Sequence, residues 1–577
     1  MMFCLDDGAE LLYGPAVSVP PAVAGGALSS DDEPATAILH STAAPGEAPT
    51  RAHIHTTDQT AIFPRGAEAE PQKNSAELAE KESFSANRAA KPLVAVAVSA
   101  VLLVGGFLGY RYFSPTKQIN SIAVMPFVNE SGNADVEYLS DGMTETLISS
   151  LSQLPNLNVK GRSSVFRYKG KDTAAQTIGR ELNVQAVLTG RVVQRGDQLI
   201  VSLELVDAST ENTIWSERYN RKQSDLVTLL TEIARDVSGK LKTKLSGADE
   251  AKVTKNYTTN PEAYQLYLKG RFFWNKRTGE SLKQAVELYR QATEKDPRYA
   301  RAYAGLAETY VLFPIYSVAS PNDSMPIAKA MALRALEIDD SVAEAHAALG
   351  LYLGYFELDL KGAEREFRRA IELNPDYATA HQWLSNNVLS PTKRFDEALI
   401  VLRRAEEIDP LSPIIGANLG DLFVYTRQYD EAISQYKRVL TLDPNFAFAH
   451  FTLGQVYCAK RMHREAIAEF RKSFELDNDT TIKGFLAMAL AKSGQREAAM
   501  KLLNELKQES SERYVSSNAI AFVYIGLNDK NEALSWLEKG VVERSAYATF
   551  MAIDPVYDDL RPDPRFKAML KRLNLPE

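Results

Sequence analysis

The chain has 577 residues, 45% hydrophobic and 24% charged, an ordinary globular balance over a length that implies about three or four domains. A formal net charge of −8 without a concentrated stripe of Lys and Arg argues against a whole-protein nucleic-acid binder, because phosphate attraction needs a basic surface. Only Cys4 and Cys458 are present, far apart in sequence, which excludes a disulfide framework and a cysteine-type zinc site.

Residues 1–90 are rich in Ala, Pro, Ser, Thr and Glu, lack Trp and show no helical or strand period. Such a segment buries too little apolar surface to offset its ordering entropy, so disorder is expected. Asp6, Asp7 and Glu10 follow Met1 where a secretory signal has a basic start and an apolar run. His53 and His55 do not make a metal site, since two histidines on a flexible chain lack further ligands.

Next comes "KPLVAVAVSAVLLVGGFLGYRYF", in which about nineteen residues between Lys91 and Arg111 carry no charge. As a helix that length approaches the roughly 30 Å hydrocarbon core of a bilayer, so 91–112 is predicted to be one transmembrane helix, with the lipid as a partner. Lys73, Lys81, Arg88 and Lys91 outnumber Arg111 and Lys117 across it. The positive-inside rule then puts the N-terminus in the cytoplasm and everything after Tyr112 outside, as a single-pass inner-membrane protein.

From 118 to 246 the pattern predicts a mixed α/β domain. Ile122, Ala123, Val124, Met125 and Phe127 form a buried strand, ended by the turn-rich "NESGNAD". Met143, Leu147, Ile148, Leu151 and Leu154 then recur at helical steps, with Ser140 or Asp141 as the expected cap. "LNVKGRSSVF" reads as a returning strand and "TAAQTIGRELN" as a second helix. Three alternating strands follow across the turns "RGDQ" and "ASTEN", then a helix from about Ser224 to Leu245. The order β-α-β-α-β-β-β-α is that of an α+β or mixed α/β domain.

The stretches "IAVMPFVNESG", "YLSDGMTETLISSLSQLPNLNV", "RSSVFRYKG", "VLTGRVVQRGDQLIVSLELVDA" and "WSERYNR" together resemble the TolB-like N-terminal module. The resemblance implies a binding or assembly role and brings no catalytic residues. Asp141, Glu145, Asp207 and Glu217 read instead as a cap, a helix surface, a turn and a strand face.

Leu419-Gly420, Phe423, Ala432, Tyr436 and Pro444 return 34 residues later as Leu453-Gly454, Tyr457, Ala466, Phe470 and Asn478. That period and those residue types are the tetratricopeptide signature, with small residues where two antiparallel helices touch. About eight units fit the frame over 256–545, a superhelical all-α solenoid, and 546–577 breaks period as a capping segment. The resemblance implies a concave inner face lined by the first helix of each unit. Carried onto this chain it points to Arg301, Glu308, Gln382, Trp383, Asn386, Asn418, Asp421, Tyr425, Phe451 and Gln455 as protein- or peptide-binding positions. Trp383 and Phe451 equally read as core aromatics, and the family's Lys/Asn/Arg carboxylate clamp does not fall at these positions.

No phosphate loop, H-E-x-x-H helix or G-x-S-x-G elbow occurs, so no catalytic residue, cofactor or metal ligand is assigned. The layout resembles the C-terminal part of bacterial receptor-type serine/threonine kinases, but no kinase motif lies in 1–90. The expected function is a non-enzymatic membrane-anchored scaffold or sensor whose repeats bind a protein or peptide and no nucleic acid. Two alternatives stay open: the sensory half of a kinase without its catalytic domain, and a truncated membrane-bound transcriptional regulator.

Overall fold

The computed structural model describes residues 119–577 apart from 134–135, 155, 242–246 and 256–257. It begins with β1 (Ser121–Val124) and β2 (Val128–Asn129), then α1 (Glu137–Leu151), β3 (Asn158–Val159), α2 (Arg162–Phe166) and α3 (Ala175–Leu182). A meander of β4 (Ala186–Arg195), β5 (Gln198–Asp207) and β6 (Thr213–Lys222) leads to α4 (Leu226–Lys240) and α5 (Gly247–Val253). The sheet runs β3-β1-β4-β5-β6, with β2 also on β4. β1 lies parallel to β3 and β4, while β4, β5 and β6 are antiparallel. Period two is visible in β5, where Leu199, Val201, Leu203 and Leu205 are buried and the residues between them are half-buried.

Two local expectations change. α1 starts at Glu137 without a side-chain cap, and Ser140 and Asp141 lie buried inside it. Asp141 is drawn to Lys169, 2.5 Å from its carboxylate, and Ser140 bonds back to the Glu137 carbonyl. "RSSVF" is the short helix α2, because a distant carboxylate, Asp409, accepts from its first amides.

Eight antiparallel helix pairs follow among the described residues. The first four are α6 (Pro261–Trp274) with α7 (Gly279–Lys295), α8 (Ala300–Tyr310) with α9 (Pro321–Ile338), α10 (Ala343–Tyr352) with α11 (Leu360–Leu373), and α12 (Ala378–Leu384) with α13 (Phe395–Ile408). The others are α14 (Pro413–Tyr425) with α15 (Tyr429–Leu442), α16 (Ala447–Ala459) with α17 (His463–Leu476), α18 (Thr480–Lys492) with α19 (Arg496–Glu509), and α20 (Ser517–Gly526) with α21 (Lys530–Val542). Two short turns and α22 (Pro564–Arg572) close the chain, with Tyr557 and Phe566 fully buried against the last pairs.

The middle first helices are buried nearly all round, as in α14 and α18, whereas their partners α15 and α19 bury one stripe. Small residues permit this. A Cβ on Gly420 would stand 2.4 Å from the Tyr436 ring, and one on Gly484 only 2.4 Å from the carbonyl oxygen of Ala519. Backbone cannot rotate away as a side chain can. Gly484→Ala is expected to cost about 1–3 kcal/mol in urea unfolding, by forcing α18 and α20 apart.

The pairs do not all share one length. The residues that end the second helices, Asp339, Asn374 and Asp409, are 35 residues apart, while Asp409, Asp443 and Asp477 are 34 apart. The extra residue is absorbed by a π-helical turn after each first helix, at Leu353–Glu357 and Ser385–Leu389. There Leu358 and Ser390 donate to the carbonyls five residues back, Leu353 and Ser385.

The expected membrane-anchored architecture and inner-membrane placement require correction. The described chain is mostly helical with one small sheet, and no described helix is long and apolar enough to cross a membrane. The longest, α9, has 18 residues and carries Asp323, Lys329, Arg334 and Glu337. Residues 1–90 and 91–112, on which the disorder and membrane readings fell, lie outside the described residues.

Candidate functional site

The inner helices curve around one hollow of about 740 Å³. Its walls are the inner helices of the repeats, one face of α1 and the segment from Ala546 to Asp554. The ring is drawn shut where the Ser317 hydroxyl, in the second unit, donates to Asp479 at the start of α18, 2.6 Å away.

Nine of the ten inner-face positions line this hollow: Arg301, Gln382, Trp383, Asn386, Asn418, Asp421, Tyr425, Phe451 and Gln455. Three of them join in one hydrogen-bonded chain. Gln382 Nε2 donates to Asn418 Oδ1 at 2.7 Å, Asn418 Nδ2 to Asp421 Oδ2 at 3.0 Å, and the Tyr436 hydroxyl completes it on Asp421 Oδ1 at 2.6 Å. Burial pushes Asp421 up to about 6, even though the Tyr436 and Asn418 bonds favour its charged form. Tyr425 stacks on Phe550 with ring centres 6.0 Å apart. Trp383 and Phe451 are core aromatics as well as wall: both are buried, against Phe367 and against Phe470 and Phe485.

Glu308 is the exception. It stands behind the wall, 1% exposed, where it accepts from Arg271 Nη1 at 2.9 Å and from the Tyr377 hydroxyl. The other side of Arg271 holds Glu145 of α1 at 2.7 Å, and Asn275 and Arg162 also reach that carboxylate. Glu145 therefore is no surface residue. Burial would raise it, but Arg271 and Arg162 outweigh that and hold it below the usual range. Glu308 goes the other way: burial pushes it up to about 7 despite Arg271.

A second junction holds the module to the fourth unit. Asp409 accepts the amides of Ser163 at 3.1 Å and Ser164 at 2.7 Å, plus the Ser164 hydroxyl, and so caps α2 from outside its own domain. The Gly161 amide and the Lys160 ammonium donate to the carbonyls of Ile408 and Glu407. Module and repeats are one packed body rather than two beads on a string.

Residue-by-residue carry-over missed Tyr355 and Asn387, which line the same hollow and are joined by a 2.5 Å hydrogen bond. Both sit in the π-helical turns, and the 35-residue spacing was the available signal. Among the described residues no group of His, Cys, Asp and Glu is arranged to hold a metal ion. Cys458 is buried, and burial pushes its thiol up to about 12, which leaves it protonated and inert at neutral pH.

A family model described as "HilA/YgeH-like transcriptional regulator, second domain" matches residues 117–235, the stretch expected from its sequence to be a TolB-like module, and that narrower expectation is not what matched. A "TPR repeat" model matches 420–460, and the helical half is built of tetratricopeptide repeats. "Putative adenylate cyclase 3" of Rhizobium meliloti (strain 1021) is 32% identical over 237 residues, 41% of this chain and 40% of its own length. "Transcriptional regulator HilA" of Salmonella typhimurium is 22% identical over 320 residues, 53% of this chain and 56% of its own. The matched stretches thus span about half, or less, of these curated relatives. Among solved structures YrrB, described as a TPR protein with an unusual peptide-binding site, is 24% identical over 34% of this chain and 96% of its own, with a TM-score of 0.23.

Proposed function

We propose that this chain is a non-enzymatic protein-binding scaffold whose hollow grips a short polypeptide segment. The convergence of nine inner-face positions on one cavity carries the reading. At about 740 Å³ it falls within the pocket range of about 300–1,000 Å³, which suits an extended segment rather than a folded domain. Preorganisation supports it too: Gln382, Asn418 and Asp421 are held in place by one another before any partner arrives. The two curated relatives carry different activities in their names, a cyclase and a regulator, and both resemble parts of this chain.

Affinity capture with the whole chain tests this. Asn386 and Gln455 are half-buried on the wall, so their removal leaves the aromatic core intact. Asn386→Ala and Gln455→Ala are each expected to reduce recovery of the captured partner several-fold with unchanged thermal melting. Equal recovery by the double variant would defeat the hollow as the binding surface. A second reading, favoured by the match over 117–235, gives the chain a part in transcriptional control; partners drawn from the transcription machinery would select it.

A further inference from the structure

The charges around the hollow are sorted by position along the chain. Among the described lining residues every basic side chain comes from the module or the first two units: Arg162, Arg271, Lys276, Arg277 and Arg301. From Glu344 onward all eight charged lining residues are acidic. Several of these acids are already engaged. Asp376 holds Arg404, Asp409 caps α2, and Asp479 caps α18 through the Thr481 amide.

Asp421 and Asp554 are different. Among the described residues Asp421 accepts hydrogen bonds from the neutral donors Tyr436 and Asn418, and the Asp554 carboxylate accepts the Val556 amide. Burial pushes both up to about 6, and each acid disfavours the charge of its neighbours: Asp554 acts on Asp421, and Asp558 on Asp554. Arg427 and Arg561 offset only part of this at Asp554. The same two carboxylates border a smaller cavity of about 60 Å³, which extends the hollow beside Tyr425 and Tyr436. The Tyr425 ring, stacked on Phe550, lies next to both. Lys492 is the one basic side chain among the described residues that line this smaller cavity, against the two carboxylates, and no cationic donor is among the hydrogen-bond partners of Asp421. Two carboxylates beside an aromatic face form an environment that an incoming ammonium or guanidinium group can join.

We propose that the segment held in the hollow is basic, and that one of its Lys or Arg side chains seats between Asp421 and Asp554 against the Tyr425 ring. This deepens the scaffold reading and rests on it. Charge complementarity selects this occupant. An acidic peptide or a phosphate backbone would face eight carboxylates across most of the wall.

The test is a fluorescence-anisotropy titration of the whole chain with three labelled probes: a Lys-rich peptide, a Glu-rich peptide of equal length and an oligouridylate. The Lys-rich peptide is expected to bind at least about tenfold more tightly than either competitor, with an affinity that falls as salt rises. Asp554→Asn keeps an acceptor for the Val556 amide and Asp421→Asn keeps one for Tyr436; each is expected to weaken the Lys-rich peptide about tenfold. Equal or tighter binding of the Glu-rich peptide or the oligouridylate overturns the inference, as does unchanged affinity in a folded Asp554→Asn. If the Glu-rich peptide binds and Asn386→Ala abolishes it, the hollow stands as a peptide site and only its charge preference fails. If the captured partner is lost in Asn386→Ala but no probe binds, the charge preference again falls alone.

Discussion

Arg271→Met is expected to lower unfolding stability by about 3–5 kcal/mol at pH 8, measured in urea. The arginine lies between Glu145 of the module and Glu308 of the second unit, with its side chain only 15% exposed. Its removal leaves two carboxylates in a poorly hydrated junction, and Arg162, at 3.3 Å from Glu145, reaches only one of them. The loss comes mainly from stranded charge and not from the vanished contact. The triple variant Arg271→Met/Glu145→Gln/Glu308→Gln should therefore recover most of it, since no ionised group is then buried alone. A triple variant as unstable as the single one would show that the contact of the Arg271 guanidinium with Trp274, 4.3 Å from the ring centre, dominates instead.

What the sequence discloses about this body depends on whether the cause of a contact is local. The 34-residue recurrence of Leu-Gly, Ala and an aromatic is legible because each helix pair meets the same steric demand, so Gly420 against Tyr436 and Gly454 against Phe470 are one solution used twice. The inner-face positions follow from the same phase, which is why Gln382, Asn418 and Gln455 reach one cavity. The phase slips where a residue is inserted, and Tyr355 and Asn387 enter the wall through π-helical turns that repeat logic does not foresee. Glu308 shares the phase but was claimed from inside by Arg271 and Tyr377. Long-range docking leaves no local trace at all. Asp409 occupies the same turn position as Asp443 and Asp477, yet it alone caps a helix of the module. Glu145 likewise sits on a helix whose partner lies 126 residues away.

The stability of this junction should depend on pH through Glu308, in a direction opposite to that of an ordinary salt-bridged carboxylate. Its folded-state value of about 7 lies above the usual 4.5, because burial outweighs the attraction of Arg271, while Glu344 adds repulsion. Below pH 4.5 both folded and unfolded chains hold the proton, and the contribution is fully present. Between 4.5 and 7 the unfolded chain releases it and the folded chain keeps it, so stability falls as pH rises and levels off above 7. The full span corresponds to about 3 kcal/mol. Glu308→Gln keeps an oxygen for Arg271 and an amide that can donate to the Tyr377 hydroxyl, yet cannot titrate. The variant should accordingly gain about 3 kcal/mol on the wild type as pH goes from 4.5 to 8, whatever the other carboxylates do to both. A difference that stays flat across that range would mean Glu308 is ionised throughout, and that Arg271 balances both of its carboxylates at once.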